Sequence, residues 1–267
     1  MNILWVHFSQ VKYKDFFVDI TQLDTQKKIF TPNPEIILAC QKDREFLDIL
    51  HAWEYRVPDG IWIYLAAMIW EEKSKLKRFL KLPIYIYRLL TQKSKLFEKY
   101  GDKICWSDLT IDIIYFAIKN NIWITIIDLY NPDDIKKIEN QKIFKEKLIS
   151  KYPELKFDYI IYNPQKYQKI ITQIQSSNTK ILFSTLWMKK QEISIIEIMK
   201  ICSNIKLWIW VGSSFDYITW FQTRAPVFLR NMWFEWLYRI FHGPNKLTRL
   251  KRIYTATCVF IYHVIKK

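Results

Sequence analysis

Glycine is nearly missing from this chain. At ordinary usage a protein of 267 residues carries about 19 glycines, yet only Gly60, Gly101, Gly212 and Gly243 are present. Long apolar runs are missing too: none reaches the roughly 18 residues of a membrane-spanning helix. Residues 1–19 show no basic segment followed by an apolar one, so no signal peptide is expected. Cys40, Cys105, Cys202 and Cys258 are widely spaced and form no CxxC pair, which argues against a disulfide framework and for reduced cytosolic thiols. His7, His51, His242 and His263 do not cluster either, so neither a metal site nor a cofactor is expected.

What the chain does carry is apolar and basic. Half the residues are hydrophobic and a quarter charged, the balance of a globular protein, long enough for one α/β domain with an appendage or for two small domains. The net charge of +15 suits nucleic acid, anionic lipid or a phosphorylated substrate equally. Abundant Lys, Ile, Asn and Tyr, as an A/T-rich genome would give, account for part of it.

Tryptophan is the counterpart of the glycine deficit, with twelve copies. Trp208 and Trp210 alternate with Leu207, Ile209 and Val211 ahead of Gly212, in what reads as a buried strand entering a turn. Trp62 follows Asp59-Gly60-Ile61, and Trp106 precedes Ser107-Asp108 at a helix start. Chains use glycine at such places, for positive φ or close backbone approach, and an overpacked core site costs about 1–3 kcal/mol. The reading is that about ten of the twelve stand where the protein made in the cell has glycine, through UGA codons translated as tryptophan. A genuine aromatic-rich surface is the competing reading.

Short apolar runs alternate with helical stretches, the pattern of an α/β fold with a largely parallel, Rossmann-like sheet flanked by helices. Strands are expected at 3–7, 28–30, 55–57, 122–128, 157–162, 180–184 and 206–211. Helices are expected at 34–51, 61–69, 109–120, 132–151, 165–176 and 190–202. Segment 71–102 reads as a basic, aromatic insertion within an α/β domain spanning 1–220. Residues 221–267 read as two or three basic, aromatic helices appended to it, suited to an anionic membrane surface.

Candidate chemistry gathers first at Thr31-Pro32-Asn33 and at Pro58-Asp59-Gly60, each just past an expected strand end. Ligands of open α/β sheets bind outside the carboxyl ends of strands. Asp59 is therefore a candidate general base, and Thr31 and Asn33 are candidate hydroxyl binders. Two helix caps and a turn would leave the same spacing.

With glycine at Trp62 and Trp70, residues 57–70 read VPDGIGIYLAAMIG. This resembles the Asp-Gly-Ile-Gly signature of the TagA/WecG/CpsF glycosyltransferases, with Thr31-Pro32-Asn33 in the place of the family's T-x-N. Further stretches match in order. Cys105 to Leu109 becomes CGSDL, residues 187–192 become GMKKQE, and residues 207–220 become LGIGVGSSFDYITG. Arg224-Ala225-Pro226 followed by residues 233–239 becomes RAP…GFEWLYR. Trp236 is then a genuine tryptophan, and Trp53 stays undecided.

The resemblance implies inverting, metal-independent transfer of a hexose or N-acetylhexosamine from a UDP-sugar to a polyprenyl-diphosphate-linked sugar in polysaccharide synthesis. It implies Asp59 as general base, Thr31, Asn33, Lys103 and Gln191 in the substrate pocket, and Arg239, Lys246 and Arg249 at the diphosphate. It further implies a cytoplasmic protein peripheral to the inner face of the membrane, with no nucleic acid partner and a homo-oligomer left open. The chain departs from the family at Lys103, where an arginine is usual, and at Lys189, where proline is usual. It also departs after Asp128, where a glycine-rich turn is usual. A basic nucleic-acid-binding module and a catalytically degenerate membrane scaffold are the rival readings. Salt-sensitive RNA affinity with no effect of UDP on melting would favour the first, and the presence of Asp59, Thr31, Asn33 and Gln191 argues against the second.

Overall fold

A computed structural model describes residues 1–129, 135–185, 190–212, 214–219, 223–242 and 246–267. The described residues confirm the α/β architecture with a parallel sheet flanked by helices. The strands are β1 (Asn2–Ile3), β2 (Val6–His7), β3 (Lys27–Phe30), β4 (Tyr55–Arg56), β5 (Trp123–Leu129), β6 (Phe157–Tyr162), β7 (Thr179–Ser184) and β8 (Leu207–Trp210). The main sheet runs in the order β4-β3-β8-β7-β5-β6. Every register recorded within it, from β3·β8 to β5·β6, is parallel.

The chain forms two compact units. One comprises Met1–Phe16, Phe30–Cys105 and Thr223–Lys267, the other Phe17–Ile29 and Trp106–Gln222. In the second unit the central strands are apolar on both faces, as strands covered by helices must be. Ile124, Ile126 and Ile127 of β5, Ile181 to Phe183 of β7 and Leu207 to Ile209 of β8 are all fully buried. One polar pair crosses this interior: the Thr125 and Thr179 hydroxyls meet at 2.6 Å, so that neither is left unsatisfied.

In the first unit the core element is the helix Ile61–Glu71, in which Ile61 and every residue from Ile63 to Ile69 is buried. A helix apolar on all sides belongs inside a protein. It starts at Gly60, whose φ of 88° suits glycine alone; a Cβ there would meet nothing within 4 Å, so the requirement is the backbone angle rather than space. The segment 71–102 folds as three helices, Lys75–Leu80, Leu82–Thr91 and Lys93–Tyr100. The C-terminal stretch forms Val227–Asn231, Glu235–His242 and Lys246–Tyr254. A π-helical turn, Thr255–Val259, joins the last of these to Phe260–Lys266.

Two elements differ from the sequence expectation. The helix expected over 34–51 is two, Pro34–Cys40 and Arg44–His51, because the Asp43 side chain accepts the Phe46 N–H at 3.1 Å and caps a new start. The strand expected over 3–7 is a hairpin: Asn2 faces His7 and Ile3 faces Val6, with Leu4-Trp5 as its two-residue loop. Both loop residues have positive φ, 47° and 66°, as a type I′ turn demands and as glycine best supplies.

A bulky L-residue held there costs about 1–2 kcal/mol. Trp5 is 55 % exposed, and the ring contact it makes is an exposed one with the Lys267 ammonium, 5.2 Å from its centroid. Such a contact is worth about 0.5–1 kcal/mol. Trp5→Gly is therefore expected to raise the stability to urea by about 0.5–1 kcal/mol. A lower midpoint would show that the indole contributes more than its backbone costs.

Candidate functional site

The sequence-predicted site begins where β3 and β4 end. The Val57 N–H donates to the Phe30 carbonyl at 3.0 Å, joining the two strands at their carboxyl ends. Thr31 is the next residue on one side, and Pro58-Asp59 follow on the other. The structure thus brings Thr31, Asn33 and Asp59 to adjacent strand ends within one unit, the position where open α/β sheets receive ligands.

Each of the three is held differently. Thr31 is fully buried, and among the described residues its hydroxyl meets no hydrogen-bond partner. A buried hydroxyl left unmatched costs about 1–3 kcal/mol, so Thr31 is a group waiting for an acceptor or donor. Asn33 caps the helix Pro34–Cys40: its Oδ1 accepts the Ile36 N–H at 3.0 Å. The cap reading of Asn33 is thus met, and its amide NH2 is the end able to donate to a hydroxyl. Asp59 is half-buried, immediately ahead of Gly60 and the helix Ile61–Glu71.

Lys103 is half-buried in the same unit, and its ammonium lies 5.9 Å from the centroid of the Trp233 ring. Lys93 approaches that ring at 5.3 Å and donates to the Asn231 carbonyl at 2.6 Å. Burial, and then the charge of Lys103, push the Lys93 ammonium below its ordinary pKa. Sequence reasoning missed Lys93, which no motif marks; only the fold sets it beside Trp233. The Trp233 indole also meets the rings of Tyr64 at 5.6 Å and Phe97 at 5.7 Å. Burial raises the Tyr64 phenol well above its usual range, and it donates to the Gly101 carbonyl at 3.1 Å.

The remaining expected residues are on helices. Lys246 is exposed and Arg249 half-buried, both on Lys246–Tyr254. Arg239 lies on Glu235–His242, and its side chain lies outside what is described. Gln191 falls in the second unit, on the helix Lys190–Ile201, and its side chain also lies outside what is described. Lys189, Trp187 and Trp220 lie outside the described residues.

Asp128, at the carboxyl end of β5, is a second carboxylate the sequence only hinted at. It accepts from the Tyr159 hydroxyl at 2.7 Å, the Thr185 hydroxyl at 2.8 Å and the Gln141 amide at 3.3 Å. Three donors on one carboxylate fix the strand end before the segment in which the chain departs from the family pattern. Two clefts of the first unit lie elsewhere. One of about 410 Å3 is lined by Asn2, Trp5, Arg44, Leu47, His51 and Trp70, and one of about 330 Å3 by residues including Met68, Glu71 and Arg88. Neither touches Thr31 or Asp59, and the chemistry at the strand ends outweighs cleft volume, because neither cleft brings an unsatisfied buried polar group.

The sequence profile of the Glycosyl transferase WecG/TagA/CpsF family matches residues 1–94 and 139–267, well over half of the chain. The chain belongs to this family. It is a glycosyltransferase of cell-surface polysaccharide synthesis. Thr31, Asn33, Asp59, Gln191, Arg239, Lys246 and Arg249 fall within the matched residues, whereas Lys103 and the 105–109 motif fall outside them. Among the described residues no helix is long and apolar enough to cross a membrane.

Thr31→Val keeps the shape and removes the unmatched hydroxyl. Its unfolding free energy is expected to rise by about 1 kcal/mol, read by chemical denaturation. A clear loss of stability would mean that the hydroxyl already has a partner in the folded protein.

Proposed function

We propose that the chain transfers a hexose or N-acetylhexosamine, N-acetylmannosamine-like, from a UDP-sugar to a polyprenyl-diphosphate-linked sugar. The transfer proceeds with inversion and without a metal, at the inner face of the cell membrane. Asp59 takes the proton of the acceptor hydroxyl as its oxygen bonds to the anomeric carbon. The bond from that carbon to UDP breaks, and its electron pair leaves with the diphosphate. Thr31 and Asn33 hold sugar hydroxyls, and Gln191 binds substrate. Lys103, Arg239, Lys246 and Arg249 offset the charge that gathers on the departing diphosphate.

Support for this reading comes from the strand-end pairing of Phe30 with Val57 in the first unit: Thr31, with its buried, unmatched hydroxyl, follows one strand, and Asp59 comes two residues after Val57 on the other. A general base typically contributes about 10²–10⁴ in rate. Asp59→Asn is expected to keep its circular dichroism and melting temperature while kcat falls by about 10²–10⁴. Turnover like that of the unaltered chain would remove Asp59 from the role. A panel of UDP-sugars, scored by thermal stabilisation, identifies the donor.

The same reading holds that about ten of the tryptophans occupy glycine positions. Support comes from the backbone. Among the described residues the non-glycine positions with positive φ are Leu4, Trp5, Asn121 and Trp233, a region where bulky side chains are outliers. The buried indole nitrogens of Trp106 and Trp208 find no acceptor among the described residues. Trp53 and Trp236 share that trait, so it does not by itself sort the twelve. The messenger RNA is expected to read UGA at positions 62, 106, 208 and 210; UGG at these positions would refute the assignment.

A further inference from the structure

The helix Lys75–Leu80 is turned inside out. Its arginine is buried: Arg78 is 7 % exposed, while Leu76, Phe79 and Leu80 are 68 %, 64 % and 64 % exposed. The cause lies in the hydrogen bonds of the guanidinium. Arg78 Nε donates to the Glu72 carbonyl at 2.6 Å, Nη1 to the Val264 carbonyl at 2.9 Å and Nη2 to the Trp70 carbonyl at 3.4 Å. With Arg78 stapled inward, the stripe at i, i+3 and i+4 faces solvent.

The next helix, Leu82–Thr91, also exposes apolar side chains. Tyr85 and Leu89, four apart, point into the unit, and this leaves Ile86, Tyr87 and Leu90 exposed. Two consecutive helices therefore present large apolar side chains to water, more than the scattered surface leucines of an ordinary protein.

The charge of the same stretch selects what covers it. Between Glu72 and Glu98 the chain has no acidic residue, while Lys73, Lys75, Lys77 and Arg88 are exposed in the same stretch; Lys81 is paired with Glu72 at 2.6 Å. A two-fold contact with a second copy would set this basic stretch against itself. An anionic bilayer offers hydrocarbon to the stripe and phosphate to its rim.

We infer that the face formed by Lys75–Leu80 and Leu82–Thr91 is a membrane-docking surface that lies in the interface of an anionic bilayer. Its apolar residues enter the acyl boundary and its lysines meet the headgroups. The face contains none of the tryptophans; the Arg78 staple does reach Trp70, but through its carbonyl, a group that a glycine would supply as well. It does not rest on the transfer reading: Asp59→Asn is expected to bind the same vesicles as the unaltered chain.

The test is co-sedimentation of the full chain with phosphatidylcholine vesicles, with and without about 30 % phosphatidylglycerol. Expected are binding to the anionic vesicles, weakening with added salt, and a loss of roughly tenfold or more in the L76S/F79S/L80S variant. The substituted side chains are exposed, so the melting temperature should hold. K75E/K77E, which leaves the apolar stripe intact, should lose binding to anionic vesicles as well. The proposal is overturned if the unaltered chain ignores anionic vesicles, or if both variants bind as it does. It is also overturned if binding is lost only in the tail variant L247S/L250S. Conversion of an oligomer to a monomer by L76S/F79S/L80S, with vesicle binding unchanged, would assign the face to a second copy instead.

Discussion

The account depends on one backbone hydrogen bond and what it aligns. When the Val57 N–H reaches the Phe30 carbonyl, two strands of distant sequence end at the same level, and the residues after each are brought together. The placement of Thr31, Asn33 and Asp59 in the first unit follows from that level. Thr31 follows Phe30 into a fully buried position, Asn33 is committed to starting a helix, and Asp59 stands before the glycine that turns the chain into its most buried helix. The sheet needs the strand ends for folding, and the chemistry uses what those ends leave over. A hydroxyl buried with no partner lowers stability, and functional sites are where such groups are retained.

Much of this was legible in the sequence, for reasons that can be named. The parallel sheet could be read because its strands are apolar throughout, as β7 and β8 show, and because helical stretches separate them. The candidate positions Thr31, Asn33 and Asp59 could be picked out because each stands just past an expected strand end and because the motifs keep their order along the chain. The hairpin at Leu4-Trp5 could not be read, since its turn signal is a glycine-type position occupied by tryptophan. The break at Gln41–Asp43 is a matter of capping, with Asp43 competing as a start inside a continuous apolar pattern. Lys93 escaped because it reaches Lys103 only through the fold, and exposure of the Leu76 stripe escaped because periodicity does not say which way an amphipathic helix faces.

Membership of the glycosyltransferase family and the physical anomalies of the chain bear on each other. The family's motifs are rich in glycine, and two tryptophans of this chain, Trp5 and Trp233, have the positive φ that glycine adopts most readily. The indole nitrogens of Trp106 and Trp208 are buried without acceptors among the described residues. The Trp233 ring lies within 5.3 Å of the Lys93 ammonium and 5.9 Å of that of Lys103, and burial, then the charge of Lys103, lowers the pKa of Lys93.

The most direct measurement is a crystal structure with a UDP-sugar and a soluble acceptor sugar bound. The account predicts the transferring sugar at the carboxyl ends of β3 and β4, with the Thr31 hydroxyl hydrogen-bonded to it and the Asp59 carboxylate on the acceptor hydroxyl at about 2.6–3.2 Å. Donor and acceptor seated away from these strand ends, with the Thr31 hydroxyl still unmatched, would contradict it.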